Sequence, residues 1–228
     1  MGSVAKNLKE VLERVEAAAR KSGRRGADVR LVAVTKTHTP EIIMEAYRSG
    51  HKIFGENYAQ ELKEKSALLP PDIEWHFIGA LQGNKVKIII DKTAMIHSLD
   101  RESLAREIEK RAMKTVPVLI EVNLAGEETK SGVASDEVEK LIDSVRNLTK
   151  IEIKGLMTMP PFFDDAERAR PYFVRLRELR DKLARNTGLA LKELSMGMSG
   201  DFEAAVEEGA TIVRVGTAIF GERKTKGG

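Results

Sequence analysis

Leu31-Val32-Ala33-Val34-Thr35-Lys36-Thr37-His38-Thr39-Pro40-Glu41-Ile42-Ile43 reads as a buried strand running into a helix. Four consecutive apolar residues with no polar alternation suit a strand covered on both faces. Thr39 offers an N-cap, and Pro40 occupies the first helical position, where its missing N–H costs nothing. Ile42, Ile43, Ala46 and Tyr47 keep helical spacing, and Gly50 supplies a left-handed terminator.

The same alternation extends both ways from this stretch. Upstream, Leu8, Val11, Leu12, Val15 and Ala19 predict a helix over 4–21. Downstream, β-rich apolar runs predict strands near 52–54, 74–78, 94–97, 117–123, 153–158, 192–196 and 211–215. Helices are expected near 57–68, 83–92, 101–114, 135–148, 165–187 and 200–208, with Pro171 either opening or kinking the sixth. Strands that alternate with helices form parallel sheets. Eight such units predict a closed (β/α)8 barrel, a TIM barrel with an extra N-terminal helix, as a single α/β domain over 1–228. An open doubly wound sheet fits less well, because no G-x-G-x-x-G follows the first strand.

Composition removes several classes of function. The 228 residues carry 38 Lys+Arg against 35 Asp+Glu, a net charge of +3 with the signs interspersed, which is no nucleic-acid surface. There is no cysteine, so disulfides, thiolate metal sites and cysteine nucleophiles are all excluded, as suits a reducing cytoplasm. No apolar run approaches the roughly 18–20 residues of a membrane span. The charged start MGSVAKNLKEVLERVE is not a signal peptide, so a cytoplasmic location is expected. His38, His51, His76 and His97 show no metal-binding spacing, and no metal is expected. His76, between Trp75 and Phe77, is expected in the core or at its rim, and the cluster Arg20, Lys21, Arg24, Arg25 in a solvated loop.

A barrel places its active site at the C-terminal strand ends, with phosphate groups often after strands seven and eight. Met196-Gly197-Met198-Ser199-Gly200-Asp201 follows the seventh strand, and Gly216-Thr217 follows the eighth. Each puts small residues and backbone N–H groups at a helix start, where anions bind. Either loop alone is equally an ordinary turn, but two on adjacent strands favour an anion site. Lys36 follows the first strand directly and should face those loops. Among apolar neighbours a lysine becomes a nucleophile toward carbonyls. A phosphorylated aldehyde uses both features, and pyridoxal phosphate is such a ligand. A purely electrostatic phosphate contact is the other role open to Lys36. Arg214 lies two residues before Gly216 and so shares its face of the strand. It either faces the pyridine nitrogen or forms a buried ion pair with a carboxylate such as Glu56. Asn57 either lines the cofactor or caps a helix.

Several motifs together resemble one family. They are Ala33-Val34-Thr35-Lys36-Thr37, Phe54-Gly55-Glu56-Asn57-Tyr58-Ala59-Gln60-Glu61, Trp75-His76-Phe77-Ile78-Gly79 with Leu81-Gln82 and Asn84-Lys85, Gly155-Leu156-Met157-Thr158-Met159, Leu194-Ser195-Met196-Gly197-Met198-Ser199 and Arg214-Val215-Gly216-Thr217-Ala218-Ile219-Phe220-Gly221. In this order, over about residues 30–221, they look like the pyridoxal phosphate homeostasis family, also called proline synthetase co-transcribed homologues. The resemblance implies a barrel like the N-terminal domain of alanine racemase, with pyridoxal phosphate held as a Schiff base on Lys36. It implies phosphate contacts at Ser199, Gly216 and Thr217, a pyridine-facing Arg214 and a cofactor-proximal Asn57. Thr35 stands where many members carry serine and keeps the hydroxyl. The family reading is a non-enzymatic regulator or carrier, here a monomer, with apo-enzymes that use the cofactor as its partners. Weak amino-acid racemization is the alternative. Racemization needs an acid–base group on each face of the substrate, and neither a second domain after the eighth strand nor a well-placed tyrosine is expected among Tyr47, Tyr58 and Tyr172.

Overall fold

The computed structural model describes residues 3–127 and 131–222. The strands are β1 (Arg30–Val34), β2 (Ile53–Glu56), β3 (Glu74–Phe77), β4 (Thr93–Leu99), β5 (Val116–Asn123), β6 (Val133–Ala134), β7 (Ile151–Met157), β8 (Glu193–Ser195) and β9 (Ile212–Val215). The helices are α1 (Val4–Lys21), α2 (Pro40–Arg48), α3 (Ala59–Leu68), α4 (Gly83–Ile89), α5 (Glu102–Arg111), α6 (Val138–Val145), α7 (Arg170–Thr187), α8 (Phe202–Glu207) and α9 (Thr217–Phe220).

All the strand pairs are parallel. They run β4-β3-β2-β1-β9-β8-β7-β5, and β4 pairs with β5 to close the ring. This is the expected (β/α)8 barrel. β6, not foreseen in the sequence, adds two residues to the outer end of β5. β1 lies between β2 and β9, so the strand that leads to Lys36 is the direct neighbour of the strand that carries Arg214.

Two apolar regions hold the barrel. The larger lies between strands and helices and includes Leu31, Ala33, Phe54, Trp75, Phe77, Leu156, Val213 and Val215. The smaller lies inside the ring and gathers Val32, Met95, Leu119, Met157 and Ile212, with Ile53 packed against it. Alternate residues of β1 thus face different regions, as strand geometry requires. Because both faces are covered, the strand reads as an unbroken apolar run.

α1 starts at an N-cap, Ser3, whose side chain accepts from the Lys6 N–H, and it packs against α2, α8 and α9. Pro171 lies in the first turn of α7 and opens that helix rather than kinking it, after a separate 3-10 turn at Ala166–Arg168. Helices α4, α5 and α6 end three residues short of the ranges read from the sequence. Thr39 stands at the N-cap of α2 but makes no capping hydrogen bond. Arg24, expected in a solvated loop, donates to the backbone oxygens of Val206 and Ala210 and ties the end of α1 to the α8–β9 connection.

Candidate cofactor site

A cavity of about 370 Å³ opens at the C-terminal ends of the strands. Lys36, Asn57, Ser199, Arg214, Gly216 and Thr217, the six residues singled out from the sequence, all line it. They come from β1, β2, β8 and β9, which are contiguous in the ring except for the order of their connections. Val34, Ile78, Met159, Phe162, Phe163 and Met198 add an apolar wall that the sequence reading did not anticipate. Its signal was available in Met159-Pro160-Pro161-Phe162-Phe163, an apolar run after β7 where a solvated loop is usual. Phe162 remains 86% exposed at the rim.

The loops after β8 and β9 form one wall. Gly197 has φ +91°, and a Cβ there would lie 2.6 Å from the Ala205 Cβ and 2.9 Å from the Phe202 Cα. Only glycine lets this loop fold back onto α8. The Asp201 carboxylate accepts from the Met198 N–H at 2.6 Å and tightens the loop. Ser199 Oγ then accepts from the backbone N–H groups of Gly216 and Ala218, at 3.2 and 3.3 Å. The serine therefore joins the two loops directly, so these N–H groups are not unengaged as the sequence alone suggested. Thr217 opens α9, where first-turn N–H groups have no intrahelical partner.

Asn57 closes the opposite side. A Cβ on Gly79 would fall 2.3 Å from the Asn57 carbonyl oxygen, so glycine is required for the two segments to cross. Asn57 Oδ1 is buried without a hydrogen-bond partner. Such an atom costs about 1–3 kcal/mol of desolvation unless something else satisfies it.

Arg214 is the charged centre, only 3% exposed. Its guanidinium donates from Nη1 to Ser195 Oγ at 2.5 Å and from Nη2 to the Thr158 carbonyl at 2.9 Å. The anticipated partner Glu56 is engaged elsewhere, with Lys65 at 2.6 Å. Arg214 has no salt bridge among the described residues. Burial draws its pKa down to about 10, opposed by the charges of Glu121 and Asp201, so it stays cationic at neutral pH.

From Arg214 a polar column runs down the barrel. Ser195 Oγ also meets His97 Nδ1 at 2.9 Å, and His97 Nε2 meets His76 Nδ1 at 2.9 Å. Arginine only donates, so Ser195 Oγ accepts from Arg214, and its second lone pair and its own hydrogen let it either accept from His97 Nδ1 or donate to it. A neutral His97 carries one hydrogen, so it donates either to Ser195 Oγ or to His76 Nδ1 and accepts at its other nitrogen. Burial pushes His76 down to about 3, and His97 well below the usual histidine value, so both are neutral. His76 also lines a second cavity, of about 610 Å³, at the N-terminal ends of the strands. His76 is thus in the core, as expected from its neighbours.

The arrangement is a (β/α)8 barrel whose C-terminal mouth gathers an amine, a buried guanidinium and two serine- and glycine-bearing loops on neighbouring strands. Comparison with known proteins narrows this class. The model of the alanine racemase N-terminal domain matches residues 7–224. A pyridoxal phosphate homeostasis protein of Aquifex aeolicus is 51% identical over 226 residues, covering 97% of this chain and 99% of that protein. One from Escherichia coli is 36% identical, covering 98% of each chain. Among solved structures, PipY of Synechococcus elongatus with PLP bound superposes with a TM-score of 0.84 at 33% identity, covering 96% of this chain and all of that one. The alanine racemase of Corynebacterium glutamicum shares the fold, with a TM-score of 0.72 at 17% identity. The chain belongs to the pyridoxal phosphate homeostasis protein family, within the alanine racemase N-terminal-domain group.

Proposed function

We propose that this protein binds pyridoxal phosphate through a Schiff base to Lys36, and that it holds and releases the cofactor in intracellular homeostasis. The observation that carries the reading is one cavity lined by Lys36, Asn57, Ser199, Arg214, Gly216 and Thr217. Its volume, about 370 Å³, lies within the roughly 300–1,000 Å³ of small-ligand pockets. The buried, unpartnered Asn57 Oδ1 and an arginine with no salt bridge both fit a polar aromatic ligand. The PLP-bound PipY relative supports the same cofactor.

The cofactor supplies an aldehyde and a phosphate. Lys36 would supply the amine that condenses with the aldehyde, the carbonyl oxygen leaving as water, so no oxidant is needed. Ser199 and Thr217 would hold the phosphate through their hydroxyls and the first-turn N–H of α9, with Gly216, whose own N–H goes to Ser199 Oγ, putting no side chain in its way. Arg214 would present an N–H to the pyridine nitrogen. A cationic donor there keeps that nitrogen unprotonated, which makes the ring a weaker electron sink. Neither Tyr47, Tyr58 nor Tyr172 lines the cavity. Storage and transfer to apo-enzymes, by a cytoplasmic monomer, fit this site better than racemization. No helix among the described residues is long and apolar enough to cross a membrane.

Borohydride reduction of the loaded protein followed by peptide mapping tests the reading. A pyridoxyl adduct is expected on Lys36, and Lys36→Ala is expected to abolish the visible absorbance while leaving the circular dichroism unchanged. An adduct chiefly on another lysine would overturn the assignment.

A further inference from the structure

Lys36 is the second residue of a tight turn closed by the His38 N–H donating to the Thr35 carbonyl at 3.0 Å. The third residue, Thr37, has φ +68° and is the only non-glycine residue with positive φ among those described. Positive φ at that position is the mark of a type II turn and normally calls for glycine or asparagine. A β-branched residue held there is strained. Strain of this kind persists where the surroundings impose it, and it clusters at functional sites.

The source of the constraint is visible. Glu61 Oε2 accepts the Thr37 N–H at 2.8 Å and also binds Lys65 Nζ at 2.7 Å. Lys65, almost fully buried, donates as well to the Thr35 carbonyl at 2.7 Å and to Glu56 Oε1 at 2.6 Å. The Thr35 hydroxyl donates to the same Glu56 oxygen at 2.6 Å. The backbone groups on both sides of Lys36 are therefore gripped by one pair of charged residues, one turn apart on α3.

We propose that Glu61 and Lys65 are positioning residues for Lys36, a clamp that holds Thr37 in the left-handed region so that the Lys36 side chain is aimed into the cavity. The proposal rests on the cofactor reading above. It differs from a purely stabilising ion cluster in a specific way. The clamp acts through the turn, so its effect depends on the strain at residue 37 and on the Lys36 amine. Removing Glu61 lets Thr37 relax and the lysine lose its aim. Glycine at position 37 takes the left-handed conformation without penalty and restores it. Glu61→Ala leaves Lys65 bonded to Glu56 and Thr35, so the fold is preserved.

The experiment mixes apo-protein with pyridoxal phosphate and follows the rise of visible absorbance, using wild type, Glu61→Ala, Thr37→Gly and the double variant. Glu61→Ala is expected to slow formation of the covalent link at least tenfold, and Glu61→Ala/Thr37→Gly to recover most of the rate. In the Lys36→Met background, equilibrium dialysis should find the non-covalent affinity the same within twofold with or without Glu61. In ligand-free protein, hydrogen exchange of amide 37 should accelerate at least tenfold in Glu61→Ala. A wild-type rate in Glu61→Ala, failure of the glycine rescue, or an equal loss in the Lys36→Met background would overturn the clamp. If wild type carries its adduct elsewhere, the cofactor reading falls by itself. The clamp is then judged on amide exchange and on the rate of Lys36 reductive methylation by formaldehyde with cyanoborohydride as reductant, which Glu61→Ala must change and Thr37→Gly must restore.

Discussion

The two sides of the cavity are built on opposite plans. The β1–β2 side uses buried ions and a strained turn: Thr35, Glu56, Glu61 and Lys65 surround the backbone that carries Lys36. The β8–β9 side uses glycine, serine, threonine and backbone N–H groups, linked by one serine oxygen. A phosphate carries several equivalent oxygens and can be received by backbone donors. A lysine amine that must meet one carbon atom needs its chain aimed, and flexible lysine does not aim itself. Aiming has a cost. Burial pushes the Glu56 carboxyl upward, against the opposing pull of the Lys65 ammonium and its hydrogen bonds, as expected where desolvation offsets Coulomb attraction.

The sharpest way to separate the sides is to remove the hydroxyls of the second. Ser199→Ala with Thr217→Val is expected to weaken pyridoxal phosphate binding at least a hundredfold, since hydrogen bonds to charged groups are worth about 1.5–3 kcal/mol each. Pyridoxal, which lacks the phosphate, should bind the double variant and wild type alike in equilibrium dialysis. Equal losses for both ligands would place the phosphate outside these loops and break the comparison.

A smaller effect tests the acid between the two sides. Glu121 on β5 is 3% exposed, and burial with the nearby Asp100 charge pushes its pKa up from 4.5 to about 7. The folded protein then holds this proton more tightly than the unfolded chain. Stability conferred by protonated Glu121 is lost as pH rises from about 4.5 to about 7 and is level above that, a change of about 3 kcal/mol. Urea titrations across this range should show that slope in wild type, and a correspondingly shallower one in Glu121→Gln. Parallel profiles would mean that Glu121 titrates normally.

The smallest effect concerns the strained turn alone. Thr37→Gly removes a left-handed cost of about 1–2 kcal/mol and adds about 0.5–1 kcal/mol of unfolded-state entropy. Thermal unfolding should therefore show a gain of about 0–1.5 kcal/mol. A clear destabilisation would mean that the threonine side chain, rather than the ions, holds the turn.

The same contrast governs what could be read from the sequence. The glycine loops are local, since Ser199-Gly200 and Gly216-Thr217 announce themselves in adjacent letters. The barrel was legible for a related reason: strands buried on both faces leave unbroken apolar runs, as at Leu31–Val34. The clamp is not local. Glu61 and Lys65 look like a solvated i,i+4 pair. Only the phase of Lys65, on the face of α3 that buries Ala59 and Leu62, hinted that a lysine points inward. Of the two roles open to Arg214, the ion pair with Glu56 does not form: β1 separates their strands, and Lys65 lies nearer to Glu56 in space. The His76–His97 contact depends on the register between β3 and β4, which includes an irregularity that no pattern of single letters encodes. Helix ends at α4, α5 and α6 were overrun because no glycine or proline marks them.

The column from Arg214 through Ser195 and His97 to His76 has a further consequence. Both of its histidines are neutral and its head is a cation, so the formal charge of the column sits at the end nearest the cofactor mouth. A second proton placed on either imidazole would repel that guanidinium across a low-dielectric interior. The column is therefore an insulated post that carries a single charge up to the mouth.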